Sequence, residues 1–324
     1  MISRRVLLSG MVVIGCTIMA VLPAASQSYP MRPITLIVPF AAGGFNDVIV
    51  RIVADHMAKT LGQPIVIEND GGAGGTTATG RAARAAPDGY TIVAGSMGTH
   101  AAAPAQYPNL KYDPAKDFTP IGLTAEAPAV IVTRKDFPAN NLKEFIEYVQ
   151  KNQDKVNEAH AGVGSQMHTY CTLLHSIMGT KTARIAYRGG APAINDLVAG
   201  QVDFSCVSVN TAASQIQGGT IKGIAIASPE RAAVIKDVPT TTEGGLPEFQ
   251  VSGWNAIFAP KNLPPDIQAR LSDALFKALD DQATAKRLLD IGCFIPDKVD
   301  RTPQALQRRV ENEVARWSSV LKRQ

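Results

Sequence analysis

The sequence predicts an α/β fold in two lobes, each a mostly parallel sheet flanked by helices, joined by two extended crossings. Three observations carry this. Residues 33–94 alternate short apolar runs of strand length with stretches whose apolar side chains recur at helical spacing. The alternation restarts near residue 141 and continues to residue 227. Two long apolar segments, 118–133 and 252–260, separate these blocks, and Pro120 and Pro128 mark the first as longer than an ordinary strand. Strand–helix–strand order implies parallel strands covered by helices, and 324 residues fit about two such units.

Each element has a local reason. Ile34 to Val38, between Pro33 and Pro39, reads as a short buried strand. Ala41-Ala42-Gly43-Gly44 is a tight turn, and Val48, Ile52, Val53, Met57 and Leu61 share a helix face that Gly62 ends. Residues 64–67 form the second strand, and the glycines at 71, 72, 74 and 75 lead into a helix over 76–86. Pro87-Asp88-Gly89 is turn chemistry before the strand at 90–94. In the second block the pattern gives helices at 141–152, 166–178 and 191–199. It places strands near 157–161, 182–187, 202–207 and 222–227. The tail, 264–290 and 302–322, reads as two amphipathic helices that return to the first lobe.

Composition narrows the partners. Hydrophobic residues make up 45% of the chain and charged residues 19%, which suits packed cores and excludes collagen or low-complexity disorder. The net charge of +4 comes without a basic block or an aromatic-interleaved basic stripe, so no nucleic acid is predicted. In residues 1–26, Arg4 and Arg5 precede an apolar run to Leu22, then Pro23-Ala24-Ala25-Ser26, with no acid. This reads as a secretory signal peptide cut after Ala25 or Ser26, too short and too diluted for a membrane span. Its loss would lower the net charge to +2, because Arg4 and Arg5 leave with it. Ser3-Arg4-Arg5-Val6-Leu7-Leu8 also resembles a twin-arginine signal, and Val13-Ile14-Gly15-Cys16 loosely resembles a lipobox, so the export route stays open. Cys171, Cys206 and Cys293 are irregularly spaced, which predicts buried apolar thiols rather than a disulfide framework.

Four turns at the carboxyl ends of strands could carry chemistry, since ligands of parallel sheets bind there. They are residues 39–47, 95–100, 162–168 and 187–192. Their glycines admit close backbone approach, and the helix that follows each turn suits an anion. None is a P-loop or a dinucleotide fingerprint, so no cofactor is predicted. Ala94-Gly95-Ser96-Met97-Gly98 lacks the first glycine of a nucleophile elbow, and the last histidine is His175, which argues against a serine hydrolase. His168, Cys171 and His175 share a helix face, but that segment carries core residues and no carboxylate, so no metal is predicted.

In order along the chain, these turns resemble a known family. Residues 29–44 are similar to the opening motif of the periplasmic substrate-binding proteins of tripartite tricarboxylate transporters, the extracytoplasmic solute receptors or Bug proteins. Asp47 and Arg51 fall where that family has them. Ala85-Ala86-Pro87-Asp88-Gly89-Tyr90-Thr91, Gly162 to His168, Tyr187 to Pro192, Gly200-Gln201-Val202-Asp203, Asp237-Val238-Pro239-Thr240 and Glu243-Gly244-Gly245-Leu246-Pro247 continue the match.

The resemblance implies a type II periplasmic-binding clamshell. One domain spans 27–127 and 253–324, and the other spans 128–252. It implies a periplasmic monomer, no enzyme activity, a small carboxylate ligand (a di- or tricarboxylate, an amino acid or an aromatic acid) and docking on a membrane permease. A sensing protein feeding a two-component receptor would read the same way; an exported α/β enzyme is the third reading. The binding residues it implies in the first lobe are Phe40, Ala42, Gly43, Gly44, Asn46, Asp47, Ser96, Thr99 and His100. In the second lobe they are Gly164, Ser165, His168, Tyr187, Arg188, Gly189 and Asp203. Phe45 and Asn46 stand where the family usually has a small or proline residue and then a hydroxyl residue. Asp70-Gly71 replace a basic residue and proline, and Arg188 replaces the commoner lysine.

Overall fold

The structure, a computed structural model, describes residues 29–321. The expected signal peptide, with Cys16, lies outside the described residues. In the first lobe, β1 (Ile34–Val38) lies parallel between β2 (Ile65–Asn69) and β3 (Thr91–Ser96). The helices α1 (Phe45–Leu61) and α2 (Thr76–Ala83) make the connections. Gly62 ends α1 in the left-handed region at φ 73°, with its N–H on the Ala58 carbonyl. After β3 the chain makes a π-helical turn over 98–102 that runs into the short α3 (Ala103–Gln106).

The next strand joins the lobes. β4 (Phe118–Arg134) is 17 residues long and continuous through Pro120 and Pro128. From Phe118 to Pro128 it pairs antiparallel with the last strand, over Ser252–Pro260, which in turn pairs antiparallel with β3. From Ala129 to Arg134 its partners belong to the second lobe. There α4 (Leu142–Lys151), β5 (Asn157–His160), α5 (Gln166–Met178), β6 (Ala183–Ala186), α6 (Gly190–Val198), β7 (Phe204–Ser208), α7 (Val209–Gln217) and β8 (Ile221–Ile226) follow. β5, β6 and β7 run parallel, while β4 lies antiparallel between β7 and β8. With β9 (Ser252–Pro260), the strand order is β2-β1-β3-β9-β4-β7-β5-β6, and β8 sits beside β4.

α8 (Pro265–Asp280) and α9 (Gln282–Asp290) pack on α1, and α10 (Pro303–Leu321) packs on β4 and the 98–102 turn. The sequence gives residues 264–290 as one helix. The chain breaks at Asp281, whose ψ of 123° is extended and whose carboxylate caps α9 by accepting the Thr284 N–H at 2.8 Å. α7 is absent from the sequence reading. It starts directly from β7 with no turn residues between, and its apolar pattern is sparse.

One expectation is overturned. Cys171 on α5 and Cys206 on β7 form a disulfide across a Cα separation of 5.4 Å. Their 35-residue spacing carries no signal, because the contact arises only when α5 packs on β7. Cys171 is therefore unavailable to the His168–His175 pattern, while Cys293 is a buried free thiol whose pKa burial pushes up to about 12.

Candidate ligand-binding site between the lobes

The first lobe offers the turn from β1 into α1. Its shape is held by Asp47, 3% exposed, whose carboxylate accepts the Gly43 N–H at 2.8 Å, Arg51 Nε at 2.9 Å and Asn69 Nδ2 at 2.9 Å. Asn69 Nδ2 also reaches the Phe40 carbonyl at 3.0 Å. Burial opposes the charge on Asp47, but the bonds from Arg51, Gly43 and Asn69 outweigh it and hold the carboxyl below its usual pKa. Asp47 thus shapes the turn from behind.

The lobes meet through backbone. The Ala41 N–H donates to the Arg188 carbonyl at 3.2 Å, and Tyr107 Oη donates to the Val163 carbonyl. At Gly74, with φ 61°, a Cβ would lie 1.8 Å from the Val163 carbonyl oxygen, so only glycine permits this approach. A Cβ on Gly164 would meet the Tyr107 ring at 2.4 Å.

Behind this seam lies a cavity of about 30 Å³. Phe40, Gly44, Phe45, Asn46 and Ser96 line it from the first lobe. Ala161, Ser165, Gln166, Met167, Gly190, Ser208 and Thr211 line it from the second. Four helices begin at this lining: α1 after Gly44, α5 after Ser165, α6 at Gly190 and α7 after Ser208. Their first-turn N–H groups and dipoles make the lining electropositive without a cation. Among the described residues, no acidic or basic side chain lines it. Phe40, Phe45 and Met167 supply an apolar wall.

A larger hollow, about 1150 Å³, lies on the hinge side against Pro128, Ser252 and Phe294. Its arginines are matched to acids: Arg231 to Glu243, Arg309 to Glu126 and Arg316 to Glu313. It contains none of the strand-to-helix turns, so the smaller cavity is the better candidate. Among the described residues, no group of three or more His, Cys, Asp or Glu could hold a metal ion.

The structure brings Phe40, Gly44, Asn46, Ser96 and Ser165 to the cavity. Ala42 and Gly43 are exposed beside it, and Gly164 and Gly189 form the seam. Thr99 supports Ser96, accepting its N–H at 3.1 Å. His100 is fully buried, stacked on Phe258 at 4.0 Å, and burial drives its pKa down to about 3. His168 packs on His160 with Nε2 3.3 Å from Arg184 Nη1; burial, then His160 and Arg184, push its pKa to about 3.

Three further residues lie outside the lining. Tyr187 Oη donates to Asp196 at 2.7 Å. Arg188 contributes its carbonyl to the seam while its side chain is exposed. Asp203 accepts Arg134 Nε and the Asn157 N–H, each at 2.8 Å, at the starts of β5 and β7, the far end of those strands.

Sequence reasoning missed Phe45, Ala161, Gln166, Met167, Gly190, Ser208 and Thr211 as lining residues. Gln166, Met167 and Gly190 lie in turns it singled out, whereas Ser208 and Thr211 belong to the junction with the unread α7. Gly253 on β9 was a usable signal. A Cβ there would fall 1.3 Å from Gln166 Nε2, so the crossing strand needs glycine to admit the glutamine.

Residues 49–324 match the family described as "Tripartite tricarboxylate transporter family receptor". The chain belongs to this receptor family. Solved structures similar to it include MatC of Rhodopseudomonas palustris with bound malate, 44% identical with a TM-score of 0.88, covering 90% of this chain and 100% of that one. The periplasmic binding protein BugD is 40% identical with a TM-score of 0.87, covering 91% and 98%. A second R. palustris protein, solved with adipate, is 30% identical with a TM-score of 0.85, covering 91% and 97%. The two-lobed α/β architecture is thus that of the receptor family, whose members are solute-binding proteins rather than enzymes.

Proposed function

We propose that this chain is an exported receptor that closes its lobes on a small carboxylate and delivers it unchanged to membrane permease subunits. The observation that carries the reading is the convergence of four helix N-termini on a cavity that, among the described residues, no charged side chain lines. Such a lining favours an anion through fixed N–H dipoles and gives a cation nothing to pair with. Malate and adipate in the two R. palustris structures support a carboxylate. Phe40, Gly44, Asn46, Ser96 and Ser165 are the residues we assign to contact, with Gly43, Gly164, Arg188 and Gly189 closing the seam.

The residues 1–26 pattern supports export, and the Cys171–Cys206 bond suits an oxidising compartment. The change of β4 partners between Pro128 and Ala129 supports a division into 27–127 with 253–324 and 128–252. A monomer acting alone at the permease is part of the same proposal. A thermal-shift screen of the mature chain against mono-, di- and tricarboxylates tests it. A carboxylate should raise the melting temperature by mass action and be recovered intact by mass spectrometry. No shift with any acid, or a converted ligand, would overturn the reading.

A further inference from the structure

The cavity is neutral but two of its polar atoms are unmatched. Asn46 is 3% exposed and Gln166 is 6% exposed, and both line it. Among the described residues, Asn46 Nδ2 is a buried donor without an acceptor, and Gln166 Oε1 is a buried acceptor without a donor. The other end of the Gln166 amide is tied down: Nε2 donates to Ser208 Oγ at 3.2 Å and to Tyr170 Oη. With Nε2 on these two hydroxyls, Oε1 is left as the free atom of the amide.

The two atoms ask different things of a ligand. A carboxylate accepts only, so it satisfies Asn46 Nδ2 and leaves Gln166 Oε1 facing another oxygen. An ammonium donates only, and it would meet four helix N-termini with no acid in the lining. A hydroxyl accepts and donates at once. Resting on the carboxylate-receptor reading, we propose that the ligand is a short hydroxycarboxylate. Its hydroxyl accepts from Asn46 Nδ2 and donates to Gln166 Oε1, while its carboxylate sits on the helix N-termini. Asn46 and Gln166 are then the specificity-determining pair, and Asn46 stands where the resembled pattern has a hydroxyl residue.

Leaving a buried polar group unpaired weakens binding by about 10- to 100-fold. Calorimetry of the mature chain with matched pairs, malate against succinate, lactate against propionate and citrate against tricarballylate, reads this directly. Aspartate is the ammonium control for malate. In each pair with a binding member, the hydroxy acid is expected to bind at least about tenfold tighter than its deoxy partner, and malate tighter than aspartate. Asn46→Ala and Gln166→Met should each collapse that ratio towards one. The ratio is read within each variant, so a general loss of affinity does not disturb it, and thermal melts check that each variant folds. Equal affinities in the wild type, a preference that survives both substitutions, or aspartate binding best would overturn the inference while leaving a carboxylate receptor. Failure of every acid to bind would instead bring down the receptor reading itself.

Discussion

Asp47 shows how a residue can matter to a site without facing it. Its buried carboxylate collects a backbone N–H from Gly43 and side-chain donors from Arg51 and Asn69, so the β1–α1 turn is pre-shaped. Asp47→Ala would remove the acceptor of the Gly43 N–H and the anchor of Arg51 and Asn69, a cost of about 1 kcal/mol. Arg51 is half exposed and adds little to that figure. The variant should melt earlier and bind its acid at least about tenfold more weakly; unchanged calorimetry would show that the clamp does not set the turn. Asn46 was legible in the sequence as a departure within a glycine turn, because the turn type fixes what its neighbours face. His100 and His168 were not. A histidine after a strand looks the same whether it points to a ligand or to Phe258, and only packing decides.

At the scale of elements, the disulfide joins the two pieces that build the second lobe's half of the cavity. Cys171 lies on the helix that begins at Gln166, and Cys206 lies two residues before Ser208. Breaking the bond should lower stability by about 2–4 kcal/mol. A Cys171→Ala, Cys206→Ala double variant with an unchanged urea midpoint would contradict this. Element boundaries read from the sequence were close wherever caps or glycines marked them, as at Gly62 and Gly179, whose residues are left-handed C-caps. They failed where marks were absent. α7 grows out of β7 without a turn, and the break at Asp281 lies between two helical patterns that run together. Ser208 and Thr211 were lost from the predicted site for that reason.

Across the whole molecule, charge is spent on structure and not on the site. His100 and His168 are held neutral, with pKa near 3, while in the unfolded chain each protonates below about 6.5. A depressed folded pKa means that this stability is complete above about pH 6.5 and erodes as pH falls toward 3, by up to about 1.4 kcal/mol per unit for each histidine. Urea midpoints should therefore drop clearly between pH 7.5 and 5; a flat profile would contradict the burial of these rings. Ligand affinity should stay level from pH 8 to 6, because no titratable side chain among the described residues lines the cavity.

The two-lobed plan was readable from alternation and from the two long crossings. The parts that Gly74 and Tyr107 play in the seam were not, since they rest on close approach to the Val163 carbonyl and to Gly164. The central claim is that an acid is captured by closing these lobes. Small-angle scattering of the mature chain, with and without a saturating amount of the tightest-binding acid of the panel, tests it most directly. The account predicts a smaller radius of gyration with the acid, and Gly74→Val should prevent that change. An unchanged radius under saturating acid, or a Gly74→Val variant that compacts like the wild type, would contradict it.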